Sequence, residues 1–203
     1  MVIIKMKIEQ YASIILIVVG FYYIIAELIA IVSSKSGVKA YLYNTISELG
    51  TNSFSPQFKL MNSAFFLTGI TFGACYALVI YPELTGLYRF ICLILASSLS
   101  IGTLVVGMFH GGEYLFHNIG TVMTFVGGSL LLIFTALSLE ANSSYKIAYF
   151  LLGSISVLAC IIFSFFKIYG INMWYPILER LIIYPIILFE ISTGIQTISK
   201  LYT

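Results

Sequence analysis

The chain has 203 residues, of which 60% are hydrophobic and only 9% charged, with a formal net charge of +2. An ordinary soluble domain carries about 25% charged residues, so this composition excludes a soluble globular domain, a disordered chain and a nucleic-acid binder with a basic patch. It leaves an integral membrane protein, all-α, with residues 1–203 forming one polytopic bundle of six transmembrane helices.

A spanning helix needs roughly 20 apolar residues, because the hydrocarbon core is about 30 Å thick and a helix rises 1.5 Å per residue. The first such run is Tyr11–Val32. It is too long for a signal-peptide core and continues through tyrosines, which marks a retained span. The longest loop follows, Ser33–Leu60, punctuated by Gly37, Gly50 and Pro56. Span two covers Met61–Tyr81, and Pro82, Glu83, Thr85 and Gly86 make a tight turn. Span three covers Leu87–Gly107, and the stretch from Met108 to Asn118 holds both histidines, His110 and His117. Span four is Leu115–Leu139, followed by a turn, Glu140–Lys146, that contains the sequon Asn142-Ser143-Ser144. Span five is Ile147–Phe166, the fifth loop is Lys167–Trp174, and span six is Tyr175–Ser199 with a kink expected at Pro185.

An even number of spans puts both termini on one side. Basic residues divide five against five between the two sides, so the positive-inside rule is balanced. The expectation is a multi-pass protein of the cell membrane with cytoplasmic termini. Cys75, Cys92 and Cys160 all lie inside apolar runs and read as small hydrophobes. Tyrosines at span ends, such as Tyr11, Tyr81, Tyr114 and Tyr175, form the expected interfacial belt. Gly69-xxx-Gly73, Ser98-xxx-Gly102 and Gly127-Gly128 read as points of close helix approach.

Chemistry concentrates on the side of loops one, three and five. Loop one contributes Asn44-Thr45-Ile46-Ser47-Glu48-Leu49-Gly50, and span six opens with Glu179-Arg180. His110, Glu113 and His117 are metal-ligand types, and Glu48 is the natural fourth ligand or general base. Gly111-Gly112 interrupts any helix after His110, so the shared-face argument holds only for Glu113 and His117. The plain reading is a pair of interfacial histidines. No cofactor is expected; zinc is the one ion this ligand set would suit. Adjacent Glu179 and Arg180 cannot face each other on a helix, and Arg180 is expected to pair with Glu48 or Glu113. Glu27 is placed near the end of its span, within reach of the interface. Glu190 sits deeper, where an acid usually faces the bundle and marks function.

The order of these motifs resembles an archaeal and bacterial integral membrane family, the domain of unknown function 998. The matching residues are Ser47, Glu48, Leu49 and Gly50; Asn62 and Gly69; Gly107 and Phe109; His117; and Glu179 with Arg180. His110 stands where the family usually shows Pro. The resemblance covers nearly the whole chain and implies a six-span bundle, with its matched polar residues on the side of loops one, three and five. The Ile-, Tyr- and Lys-rich composition suits an archaeal source.

Three functions fit. The first is a non-enzymatic bundle that binds a lipid, quinone or other small ligand, or serves as a subunit of a larger membrane complex. Its partners are membrane lipids and partner subunits, not nucleic acid. The second is a metal-dependent lipid hydrolase patterned like alkaline ceramidases, with Ser47, Glu48 and Glu113 as catalytic candidates and His110, Glu113 and His117 as metal candidates. The third is a proton-coupled transporter using Glu190. The ligand-binding candidates are Glu48, His117, Glu179, Arg180 and Glu190, and Glu48, His117 and Arg180 are expected to lie together at one membrane face.

Overall fold

The computed structural model describes residues 2–109, 114–139 and 145–202. Among them every regular element is helical. The first span is α1 (Val2–Val32). Loop one folds into a 3-10 turn and two single-turn helices, α2 (Ala40–Tyr43) and α3 (Ile46–Leu49). The remaining spans are α4 (Phe58–Val79), α5 (Tyr88–Met108), α6 (Tyr114–Ser138), α7 (Tyr145–Tyr169) and α8 (Tyr175–Tyr202). Six helices are long and apolar enough to cross a membrane, as hydropathy requires. Their ends fall within a few residues of the apolar runs, except that α1 begins nine residues before Tyr11. α8 runs through Pro185 as one helix.

Each long helix packs on its neighbour in the chain, and α1 closes the ring by packing on α8. α8 also touches α6 and α4 and is the most buried span; α7 is the least. One continuous core of Leu, Ile, Ala, Phe and Tyr runs through the ring.

Small residues set the spacing. A Cβ on Gly69 would lie 2.6 Å from the backbone nitrogen of Leu104, and one on Gly102 would lie 2.7 Å from the carbonyl oxygen of Gly120. Backbone cannot yield as a flexible side chain can, so α4, α5 and α6 approach this closely only because glycine stands at those points. The Ser100 hydroxyl donates to the Gly69 carbonyl at the same contact.

The end of the ring carrying loop one, the α5–α6 connection and the α7–α8 connection is called the upper end here. At the lower end Lys200 and Glu83 form an exposed ion pair at 2.6 Å, and Gln10 donates to the Tyr202 hydroxyl at 2.8 Å. Glu140 and the Asn142 sequon lie outside the described residues.

Candidate functional site

Loop one is latched to the start of α8 by main-chain hydrogen bonds. Thr45-Ile46-Ser47-Glu48 is a capping box: the Thr45 hydroxyl accepts from the Glu48 N–H at 3.2 Å, and the Glu48 carboxylate accepts from the Thr45 N–H at 2.9 Å. The first two N–H groups of α3 have no partner inside the helix. Glu179 of α8 supplies it, accepting from Ile46 at 2.7 Å and from Ser47 at 3.3 Å. Arg180 takes the other polarity. One of its terminal nitrogens donates to the Asn44 carbonyl at 3.0 Å and to the Pro176 carbonyl at 2.9 Å, while its Nε donates to Glu27 of α1 at 2.9 Å. Its guanidinium lies over the Tyr41 ring, 4.4 Å from the centroid, and the Tyr184 hydroxyl joins at Glu27. Thus adjacent residues of α8 grip the carbonyl and the N–H groups of one loop.

These contacts correct several expectations. Arg180 pairs with Glu27 and not with Glu48, because α1 and α8 are direct neighbours in the ring. Glu27 does not reach the interface; it is 1% exposed inside the bundle. The Glu48 carboxylate, a candidate base and metal ligand, is engaged by Thr45 and by the Asn44 side-chain amide. The Glu179 carboxylate, a ligand-binding candidate, is occupied by backbone N–H groups.

Other matched residues are ties as well. Asn62 donates to the Gly50 carbonyl at 2.9 Å. A Cβ on Gly107 would lie 2.9 Å from the Phe66 backbone nitrogen. His117 Nδ1 donates to the Phe109 carbonyl at 2.9 Å, bridging the connection between α5 and α6. His110 and Glu113 lie outside the described residues. Among the described residues no three His, Cys, Asp or Glu side chains gather as a metal site.

Between the latch and the upper ends of α6, α7 and α8 lies an open cavity of about 660 Å³. Loop one contributes Thr45, Ser47, Glu48 and Phe54 to its wall; α6 contributes His117 and Thr121; α7 contributes Phe163 and Lys167; and α8 contributes Tyr175 and Glu179. Glu48 and His117 therefore share one cavity, and Arg180 is not among the residues that line it. Lys167 reaches across the α6–α7 gap to Asn118 at 3.3 Å. Phe163 and Tyr175 pack at a tilt with centroids 4.9 Å apart and form the aromatic side of the cavity.

A narrow void of about 20 Å³ continues downward into the bundle. It shares Ser47, Thr121, Phe125 and Glu179 with the cavity above. Thr68, Thr103, Thr124 and Tyr23 also line it. Thr103 and Thr124 bond to each other at 3.3 Å, while the Tyr23 and Thr68 hydroxyls find no protein partner.

Glu190 lies further down α8, fully buried, and among the described residues neither carboxyl oxygen has a hydrogen-bond partner. Isolating an ionised carboxylate this way is costly unless it is paired. The sequence flagged Glu190 but not the hydroxyls above it. Those four sit on four different helices, so no spacing along the chain connects them. The capping box, by contrast, is legible as Thr-x-x-Glu.

The match to known families spans this whole architecture. The model of the family described as Protein of unknown function (DUF998) matches residues 13–195. The chain belongs to this family. No curated protein and no solved structure matches it. The loop-one, Asn62, Gly107 and Glu179-Arg180 residues that carried the resemblance are thus mostly structural ties of the DUF998 chain, and the upper cavity is the space those ties enclose.

Proposed function

We propose that this protein is a non-enzymatic binding protein of the membrane that takes the polar head of an amphipathic ligand, of the lipid or quinone class, into its upper cavity. The observation that carries this reading is the cavity itself. Its volume of about 660 Å³ falls in the range of small-molecule sites, about 300–1,000 Å³. Its wall combines an aromatic side, Phe54, Phe125, Phe163 and Tyr175, with hydroxyls, two carboxylates at Glu48 and Glu179, an imidazole at His117 and an ammonium at Lys167. Such a wall suits a ring or acyl stem below a hydrogen-bonding head. Membrane lipids are the natural source of this ligand, and a segment of a partner subunit is the other occupant to be tested.

Native mass spectrometry of the purified chain tests the reading directly. A bound lipid or quinone is expected on the wild type and weakened or lost in Thr121→Trp, whose indole would project into the cavity from its α6 wall. A wild type free of any such adduct, or an adduct unchanged in Thr121→Trp, removes the proposal. A bound polypeptide in its place would assign the cavity to a complex.

A second reading keeps one specific observation: Ser47, Glu48 and His117 border the same cavity. Hydrolysis of an added lipid amide or ester that disappears in both Ser47→Ala and His117→Ala would replace the binding function with lipid hydrolysis. Near-stoichiometric zinc in elemental analysis, absent from His117→Ala, would make the hydrolysis metal-dependent.

A further inference from the structure

One face of α8 carries Glu179, Ile183, Ile186, Glu190, Thr193 and Thr197. Alternating steps of four and three residues keep these side chains in a single stripe, and all six are buried. Glu179 stands at the floor of the upper cavity, and Ile183 and Ile186 line the narrow void below it. Glu190 follows within about one turn of Ile186 on the same stripe. It is fifteen residues from Tyr175 and twelve from Tyr202, the two ends of α8. At 1.5 Å per residue this puts it about 20 Å from each end, close to the middle of the span.

The route from cavity to carboxyl is polar at one level. The void of about 20 Å³ has room for about one water. The hydroxyls of Tyr23, Thr68, Thr103 and Thr124 surround it, and those of Tyr23 and Thr68 have no hydrogen-bond partner among the described residues. Such a water therefore has its two to four polar partners. The Glu190 carboxyl has none among the described residues.

We propose that Glu190 is a proton-exchanging site, a mid-span carboxyl that takes protons from, and returns them to, the water of the upper cavity through this hydroxyl-lined void. In the exchange one O–H bond of hydronium breaks and one O–H bond forms on a Glu190 Oε, leaving neutral water; release is the reverse. No oxidant, reductant or metal enters the step.

The groups facing Glu190 leave its charge unopposed. Cys75 of α4 stands close enough to feel the Glu190 charge, Tyr76 of α4 and Tyr149 of α7 pack on the adjacent Phe189, and Cys92 of α5 accepts from Thr135 beside Tyr76. Tyr76 is hydrogen-bonded to Thr135 of α6, and Tyr149 to Thr193 of α8. α1 packs here through Ser13, Ile17 and Gly20, none of which titrates. The nearest charged side chains on α8 itself are Glu179–Arg180 above and Lys200 below, each about 15 Å away along the helix. A carboxyl in this setting exchanges protons without an ion-pair partner to hold it in one state.

Infrared spectroscopy of the full chain in phosphatidylcholine vesicles tests the proposal. The wild type is expected to show a protonated-carboxyl C=O band that is missing from Glu190→Gln and shifted in Glu190→Asp. The band should move within minutes of transfer into D₂O. Thr103→Val combined with Thr124→Val should slow that movement about tenfold, the rate equivalent of one lost hydrogen bond. A Glu190 band that stays unexchanged for hours overturns the proposal, and so does one that exchanges equally fast in the double valine variant. The absence of any band that depends on Glu190, across acid and neutral buffers, also overturns it. Glu190→Asp keeps the assignment available should Glu190→Gln fail to fold. The measurement uses no bound ligand, so it succeeds or fails independently of what the upper cavity binds.

Discussion

Two buried carboxyls of α8, Glu179 and Glu190, stand on the same face of the same helix and are treated in opposite ways. Glu179 is met by two N–H groups of α3 and lies beside an arginine whose partners are a carboxylate and two carbonyls. Glu190 has no hydrogen-bond partner among the described residues. The upper acid is therefore architecture. It replaces the water that would otherwise solvate the start of a one-turn helix too short to stand alone. The lower acid contributes no tie, so its retention at mid-span needs another reason, and exchange of a proton is the one its surroundings support.

That contrast can be broken at several points. The largest effect is expected at Arg180→Met, which strands Glu27 in the core. Stability should fall by about 3–5 kcal/mol, read by denaturant titration in detergent. Adding Glu27→Leu to that variant should recover most of the loss, because a buried ion pair replaced on both sides by apolar groups is nearly neutral. A loss below about 1 kcal/mol for Arg180→Met would mean the pair is water-accessible and not part of the latch.

Glu179→Gln comes next. It turns one acceptor oxygen into a donor that faces the N–H of Ile46 or Ser47, and should cost about 1–3 kcal/mol. Amide hydrogen exchange should rise at residues 44–50 and stay unchanged in α5. Thr45→Ala removes one arm of the capping box and is expected to cost about 1 kcal/mol, with exchange rising in the same loop. The smallest effect is expected at Glu190→Leu, where stability should hold or rise slightly, since no bond is lost and an unpaired polar group leaves the core. A large destabilisation there would erase the distinction between the two acids.

The helices were legible because hydropathy is local. Each apolar run declares its own span without reference to any other, and the observed ends of α4 to α8 differ from the apolar runs by a few residues. The side on which the polar residues gather was legible too, since two spans separate loop one from loop three and loop three from loop five. The pairing was not. Arg180 and Glu27 are separated by 153 positions and Glu179 and Ile46 by 133. Which helix stands beside α8 was open in the sequence, so the expected partners for Arg180 were Glu48 and Glu113, not Glu27.

The sequence by itself determined that this is a six-span, all-α membrane bundle, and its motif order pointed to the family. Both follow from properties summed along the chain. The tertiary structure alone decided that Glu179 and Arg180 act as a clamp on loop one. It alone placed the cavity under that loop and set Glu190 about one turn of α8 below Ile186, which lines the hydroxyl-bearing void. The physical reason is that apolar burial is non-directional and accumulates residue by residue, whereas hydrogen bonds and ion pairs act only at the short distances and angles that packed helices create.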